Sequence, residues 1–214
     1  MLNPDLPQVP PCLPGFEHVN RYIDKRMKVP AAKILPGEFY VSTKGEMIAT
    51  VLGSCISACI RDKKLGVGGM NHFMLPVQGE HSSNFEGTAG AALRYGNWAM
   101  EYLINEILKQ GGRRENLEAK LFGGGAVLSG MTSHEVGNRN IEFAKAYLVK
   151  EGIPLLAEDV GGLTPRKVLY FPDTGSVKMR RLRHVNNDTI TERENSYAKK
   201  VETEAPSSGS VELF

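Results

Sequence analysis

The chain has 214 residues, 41% of them hydrophobic, which is enough for one sizeable domain with its own core. Its formal net charge of +2 gives no strong field toward nucleic acid or an anionic membrane surface. The three cysteines are too few, and odd in number, for a disulfide-stapled secreted domain. The sequence also has no long charge-free apolar run, so we expect a cytoplasmic protein without nucleic-acid binding or membrane insertion.

The N-terminal part of the chain is rich in proline. Seven of the 12 prolines fall within the first 36 residues. Such a composition favours an extended lead-in over a packed helix. Residues 1–33 are therefore expected to form a proline-rich arm outside the core.

After this arm, short β-type runs alternate with two helical patterns. Apolar residues at helical spacing predict one helix within residues 87–112 and a second within 138–152. The combination predicts an α/β (α+β) sandwich, in which mixed β-sheets are covered by about two helices. Eight segments have the length, composition or alternation of strands: EFYVS, EMIAT, ISACI, VGGMNHFML, EAKLF, PLLAED, RKVLYF and SVKMRRL.

The C-terminal segment 186–214 is polar, charged and poor in aromatic residues. It offers too little apolar area to offset the entropy of ordering, so it is expected to be a disordered tail. No linker-like stretch divides the remaining residues. The expected folded domain therefore spans residues 34–185.

One stretch, TVLGSCISACIRDKKLGVGGMNHFMLP at residues 50–76, places a cysteine and a histidine close together. The Gly53-Ser54 pair permits a backbone bend that puts Cys55 at a strand end. Cys59, within the alternating run ISACI, is expected to be a small buried residue. These patterns make Cys55 the cysteine that is available for chemistry.

His72 lies in the strand-like run that follows. The segment RDKKLG predicts a hairpin turn, and a turn centred near Lys63 and Lys64 would bring Cys55 roughly opposite His72. A neighbouring histidine can hold a cysteine as the nucleophilic thiolate. The spacing therefore predicts a Cys-His dyad.

The same residue types also allow a metal site, with Cys55, Cys59, His72 and His81 as candidate ligands. Cys-x3-Cys with scattered histidines does not match the spacing of structural zinc sites. We therefore expect no metal and no cofactor.

Three further motifs have two interpretations each. FGGGAVLSG lacks the Lys-Ser/Thr ending of a phosphate loop, so its glycines more simply permit a close backbone approach. Asn138, Arg139 and Asn140 either contact substrate or cap the second helix, and capping is favoured. Phe73 and Met74 either shape a groove beside the histidine or belong to the core.

Several of these segments occur together in one known family. TVLGSC followed by GGMNHFMLP, AKLFGGGA, GNRNIEF and LLAEDVGG resembles the chemoreceptor glutamine deamidase family of bacterial chemotaxis, CheD, over residues 33–182. The resemblance implies an α/β sandwich with the catalytic fold of the cytotoxic necrotizing factor toxins. It also implies a protein-glutamine glutaminase that acts on chemoreceptor cytoplasmic helices, with a CheC-type phosphatase as a further partner.

By the same resemblance, Cys55 is the nucleophile, His72 its base and Thr50 the third catalytic member. The expected reaction is attack of Cys55 on the glutamine carboxamide, followed by hydrolysis of the thioester. Ser54 or Ser57 could replace Thr50, which would equally serve as an ordinary strand residue. Two other functions stay open: a transglutaminase, and a non-catalytic adaptor that binds receptors or a CheC-type phosphatase.

Overall fold

The computed structural model describes residues 7–76, 85–127, 132–182 and 188–203. Three α-helices are present in these ranges: α1 (Phe85–Lys109), α2 (Thr132–Lys150) and α3 (Asp188–Thr203), with a short 3-10 helix at Arg114–Asn116. The described strands are β1 (Asn20–Asp24), β2 (Val29–Lys33), β3 (Phe39–Ser42), β4 (Met47–Leu52), β5 (Ile56–Asp62), β6 (Gly68–Asn71), β7 (Leu117–Gly123), β8 (Leu155–Val160), β9 (Arg166–Phe171) and β10 (Ser176–Arg181).

The strands form two five-stranded sheets, with the orders β1-β2-β4-β9-β10 and β3-β6-β5-β7-β8. Both sheets are mixed, because β2 runs parallel to β4 and β7 runs parallel to β8, whereas the other neighbours are antiparallel. The predicted α+β sandwich with mixed sheets is confirmed. Each of the eight predicted strand segments contains a strand, and both predicted helices are present.

Residues 20–33 correct the expectation of an N-terminal arm. They form the antiparallel hairpin β1–β2, and β2 continues the first sheet by pairing with β4. Ala31 and Ala32 are fully buried. Pro30 is compatible with the strand because the pairing with β4 begins only at Ala31, so the missing N–H of proline removes no bond of that ladder. The first sheet thus includes residues before position 34.

Helix α3 corrects the expectation of disorder after residue 186. Its residues Ile190, Tyr197 and Val201 are buried, at the spacing of one helix face. Three apolar side chains on one face were sufficient for docking although the segment as a whole is polar. Residues 204–214 of the expected tail lie outside the described residues.

The link between the two sheets positions Cys55. β4 belongs to the first sheet and β5 to the second, so residues 53–55 carry the chain from one sheet to the other. Helices α1 and α2 pack on the second sheet, and a single hydrophobic cluster contains side chains of both sheets. No helix in the described part of the chain has both the length and the apolar character to cross a membrane.

Candidate active site

Cys55 lies at the end of the bend between β4 and β5, and the glycine loop after β7 holds this bend in place. Gly124 N–H donates to the carbonyl oxygen of Cys55 at 2.7 Å, and Gly125 N–H donates to that of Gly53 at 2.7 Å. A Cβ added at Gly123 would collide with the Cys55 carbonyl oxygen. The prediction that these glycines permit a close backbone approach is confirmed.

Asn140 holds the other side of the bend. Its side-chain N–H donates to the carbonyl oxygen of Ser54 at 2.9 Å, and its Oδ1 accepts from Leu75 N–H at 2.9 Å. Asn140 therefore connects the cysteine bend to the segment after His72. The prediction that GNRN caps the second helix is wrong, because α2 begins at Thr132 and Asn140 lies within it, fully buried.

The residues beside the histidine belong to the core. Phe73 and Met74 are each 1% exposed. Phe73 also pairs with Ile56 through two backbone hydrogen bonds, so it extends the β5–β6 hairpin by one bridge. Of the two interpretations of Phe73 and Met74, the structure supports the core and not the groove.

The β5–β6 register differs from the predicted one by two residues. Because Ile56 bridges Phe73, His72 lies opposite Ser57 and not opposite Cys55. The turn is centred one residue later than predicted. A shift of the turn by one residue changes the pairing register of the two strands by two residues. Cys55 and Ser57 point to the same side of the chain because side-chain direction alternates, so His72 still reaches Cys55 diagonally.

His72 is held through its Nδ1 atom. Thr50 Oγ1 lies 2.8 Å from His72 Nδ1 and donates its only hydrogen to the carbonyl oxygen of Ile34 at 2.9 Å. Thr50 must therefore accept from an Nδ1–H group, which leaves Nε2 unprotonated. Burial lowers the pKa of His72 to about 3, so the ring is neutral. Its Nε2 has no hydrogen-bond partner among the described residues.

The structure brings Cys55 next to this histidine. The Cys55 Sγ atom, a ring nitrogen of His72 and a carboxylate oxygen of Glu194 all lie within 4.8 Å of one another. Burial, followed by the negative charge of Glu194, raises the pKa of the Cys55 thiol well above its ordinary value. The described conformation therefore contains a neutral thiol beside a neutral imidazole.

The two serines that were alternatives to Thr50 are engaged elsewhere. Ser57 Oγ donates to the carbonyl oxygen of Asn71, and Ser54 Oγ donates to Glu194. Of the three hydroxyl groups, that of Thr50 is the one at hydrogen-bond distance from His72.

Glu194 of α3 was not predicted from the sequence as a site residue. Its Oε1 accepts from Gly53 N–H at 2.8 Å and from Cys55 N–H at 3.3 Å. Its Oε2 accepts from Ser54 N–H at 2.8 Å and from Ser54 Oγ at 2.6 Å. Three successive backbone amides at the bend thus converge on one carboxylate, in the manner of an anion-binding site. Its position on the apolar face of the segment containing Ile190 and Val201 is the signal that the sequence offered.

Of the three candidate metal ligands that the structure describes, Cys55 and His72 lie together and Cys59 is not in their cluster. Within the described residues, the cluster with metal-ligating side chains consists of Cys55, His72 and Glu194. Cys59 is buried in β5 as predicted. His81 lies outside the described residues.

Comparison with known proteins identifies the family. The family model described as "CheD chemotactic sensory transduction" matches residues 74–181. A Halorhodospira halophila protein named "Probable chemoreceptor glutamine deamidase CheD" is 56% identical over 207 residues, which cover 96% of this chain and 94% of that protein. Proteins of the same name from Saccharophagus degradans and Janthinobacterium sp. are 50% and 53% identical over 205 and 195 residues, covering 95% and 91% of this chain and 94% of each relative. The chain therefore belongs to the CheD family.

Proposed function

We propose that this protein is a cytoplasmic protein-glutamine glutaminase that converts glutamines of chemoreceptor cytoplasmic helices to glutamates. The names of its relatives, which are chemoreceptor glutamine deamidases, support this choice of substrate. The observation that carries the chemistry is the Cys55 thiol beside the imidazole of His72, at a bend whose backbone amides converge on one point. This arrangement supplies a nucleophile, a base and an oxyanion site together.

The first half of the reaction forms a thioester. His72 Nε2 accepts the thiol proton, and Cys55 Sγ forms a bond to the carboxamide carbon of the substrate. The developing oxyanion accepts hydrogen bonds from the N–H groups of Gly53 and Cys55, which converge on one oxygen of Glu194 in the structure. The carbon–nitrogen bond then breaks, and His72 returns the proton to the departing ammonia.

The second half hydrolyses the thioester. His72 removes a proton from water, the resulting hydroxide attacks the acyl carbon, and the carbon–sulfur bond breaks. The thiol is restored and the product is a glutamate side chain, so the net reaction consumes one water and releases one ammonia. Thr50 keeps His72 Nδ1 protonated throughout, which leaves Nε2 available for each proton transfer.

The experiment is incubation of a receptor cytoplasmic fragment with the full chain and a labelled primary amine. Mass spectrometry should find conversion of particular glutamines to glutamates, with release of ammonia and little label. Label incorporation that rivals hydrolysis would make the protein a transglutaminase. Binding to the receptor without either product would instead support a non-catalytic adaptor.

A CheC-type phosphatase is the second partner that we propose, on the family resemblance. Mixing the two proteins and separating them by size-exclusion chromatography tests it. Co-elution supports the partnership, and independent elution at high protein concentration contradicts it.

A further inference from the structure

Helix α3 carries one buried charge on an otherwise apolar face. Ile190, Glu194, Tyr197 and Val201 follow one another at intervals of four, three and four residues, and all are buried. An acidic side chain is rarely buried unless it is paired or hydrogen-bonded. The backbone N–H groups of the bend at Gly53–Cys55 supply those hydrogen bonds. Glu194 therefore makes the specific polar contact of a helix face that is otherwise apolar.

The hydrogen bonds at the bend select a carboxylate. Both oxygens of Glu194 accept, one from Gly53 and Cys55 and the other from Ser54. A carboxamide fits these two positions less well, because its nitrogen is a donor and would face the Ser54 N–H. A glutamate side chain presented by a helix is what deamidation of a helical glutamine produces. Glu194 thus has the chemistry of the product.

Glu194 also closes the site. Cys55 is 0% exposed and His72 is 2% exposed. The cavity lined by Thr50, His72 and Glu194 has a volume of about 30 Å³, which holds a water molecule but no glutamine side chain. A Cβ at position 53 would lie 2.7 Å from Glu194 Oε2, so the carboxylate lies directly on the glycine. A substrate glutamine can enter only when Glu194 leaves.

We propose that α3 occupies the binding surface of the substrate helix and holds Glu194, as a built-in product analogue, where the side chain of the reacting residue binds. The proposal rests on the proposed deamidase function and adds how the site is regulated. A receptor helix that presents a glutamine must displace α3 before Cys55 can react. The chain is therefore self-inhibited, and its substrate competes with its own C-terminal helix.

The flanking contacts of α3 define what the substrate helix should carry. Tyr197 packs on Gly37, where an added Cβ would lie 2.9 Å from the ring, and its hydroxyl contacts that of Tyr95. Beside it, Trp98 of α1 is 54% exposed and lines a groove of about 700 Å³ next to Tyr197. Because Ile190 and Tyr197 are buried one turn before and one turn after Glu194, the surface favours a helix with apolar residues at the same two positions around the reacting glutamine.

The test uses the full chain with Glu194→Gln, which has nearly the same shape and places a carboxamide beside Cys55. Cys55 Sγ should bond to the new carboxamide carbon, ammonia should leave with the proton from His72, and water should release the thiol. The variant thereby restores its own glutamate. Mass spectrometry of the peptide that contains position 194 should follow this conversion, which should be first order and independent of protein concentration.

Two controls separate this conversion from spontaneous deamidation. Glu192→Gln introduces the same carboxamide on the exposed side of α3 and should stay unconverted. The double variant Glu194→Gln with Cys55→Ala should also keep its carboxamide. Conversion in either control at the rate of the test variant would overturn the proposal.

A second variant, Glu194→Ala, tests the inhibition itself. It removes the carboxylate that competes with substrate, so kcat/KM on the receptor fragment should rise by about tenfold or more. The proposal is overturned if Glu194→Ala leaves kcat/KM unchanged or lowers it in folded protein. It is also overturned if the carboxamide of Glu194→Gln persists while the wild-type chain deamidates receptor. If neither wild type nor Glu194→Ala forms product from receptor, the proposed function fails, and this proposal with it.

Discussion

Thr50 Oγ1 lies 2.8 Å from His72 Nδ1, although 22 residues separate them in the chain. The contact joins β4 of the first sheet to the end of β6 in the second, so it depends on the packing of the two sheets. Because the Thr50 hydrogen is donated to Ile34, the contact also decides which nitrogen of His72 can accept a proton. In the proposed reaction, Thr50 would therefore act through His72.

Replacement of Thr50 tests this positioning role. Thr50→Val keeps the shape of the side chain but removes the acceptor for Nδ1–H, so kcat should fall by about tenfold to a hundredfold. Thr50→Ser keeps the hydroxyl and should retain most of the activity. Equal activity of the valine variant and the wild type, measured as ammonia release, would leave Thr50 as an ordinary strand residue.

Burial of His72 makes stability depend on pH. The pKa of His72 is lowered from 6.5 to about 3 in the folded chain. Below pH 6.5, His72 binds a proton in the unfolded chain but stays neutral in the folded chain. The free energy of unfolding therefore falls as the pH decreases toward 3. The loss is up to about 1.4 kcal/mol per pH unit for this group.

The measurement is chemical denaturation of wild type and His72→Asn at several pH values between 7 and 4. The difference between the two free energies of unfolding should shrink as the pH falls, because the variant lacks the titrating group. His18→Asn, which removes an exposed histidine, is the matched control. A constant difference between wild type and His72→Asn would contradict the assigned state of the ring.

Asn140 should matter for both stability and catalysis. Asn140→Ala leaves the Ser54 carbonyl oxygen and the Leu75 N–H buried without their partner, at a cost of about 2 kcal/mol or more. The activity should fall too, since the bend that carries Cys55 loses its support. Asn138→Ala changes an exposed residue of the same helix and should alter the free energy of unfolding by less than about 0.5 kcal/mol. Similar losses in the two variants would contradict this account.

The glycine loop offers a pair of variants with matched backbone strain. Gly124 and Gly152 have φ values of +64° and +66°, so alanine at either position carries a similar left-handed penalty of about 1–2 kcal/mol. An added Cβ has open space at Gly152 but collides with the Ile141 side chain at Gly124. Gly124→Ala should therefore lower the melting temperature more than Gly152→Ala, and it should reduce activity. Equal melting temperatures would show that the loop can move away from the bend.

The sequence was sufficient for features set by local pattern. Alternation of apolar residues located eight of the ten described strands, all but β1 and β2, and the spacing of Cys55 and His72 brought them to one end of a hairpin. The exact register of the β5–β6 hairpin could not be predicted from the local sequence. Asp62 Oδ1 accepts from Lys64 and Leu65 N–H groups and shapes the turn one residue later than predicted. Several turn positions were compatible with the same residues.

Helix α3 was harder to predict because the residues that hold it in place are distant from it in sequence. The bond between Gly53 N–H and Glu194 joins residues 141 positions apart. Only three apolar side chains mark the buried face of a segment that is otherwise polar. The glutamate among them differs in local sequence from exposed neighbours such as Glu192 only in its place on that face. Its role becomes visible only when the bend at Cys55 is in place.

Ammonia release from a receptor fragment is the most direct measure of whether Cys55 carries the proposed reaction. Cys55→Ala and Cys59→Ala are matched variants, because both replace a fully buried cysteine within a few residues of the same bend. Cys55→Ala should abolish ammonia release and glutamate formation while the protein keeps its cooperative unfolding. Cys59→Ala should retain most of the activity. Glutamine conversion by folded Cys55→Ala at the wild-type rate would contradict the account.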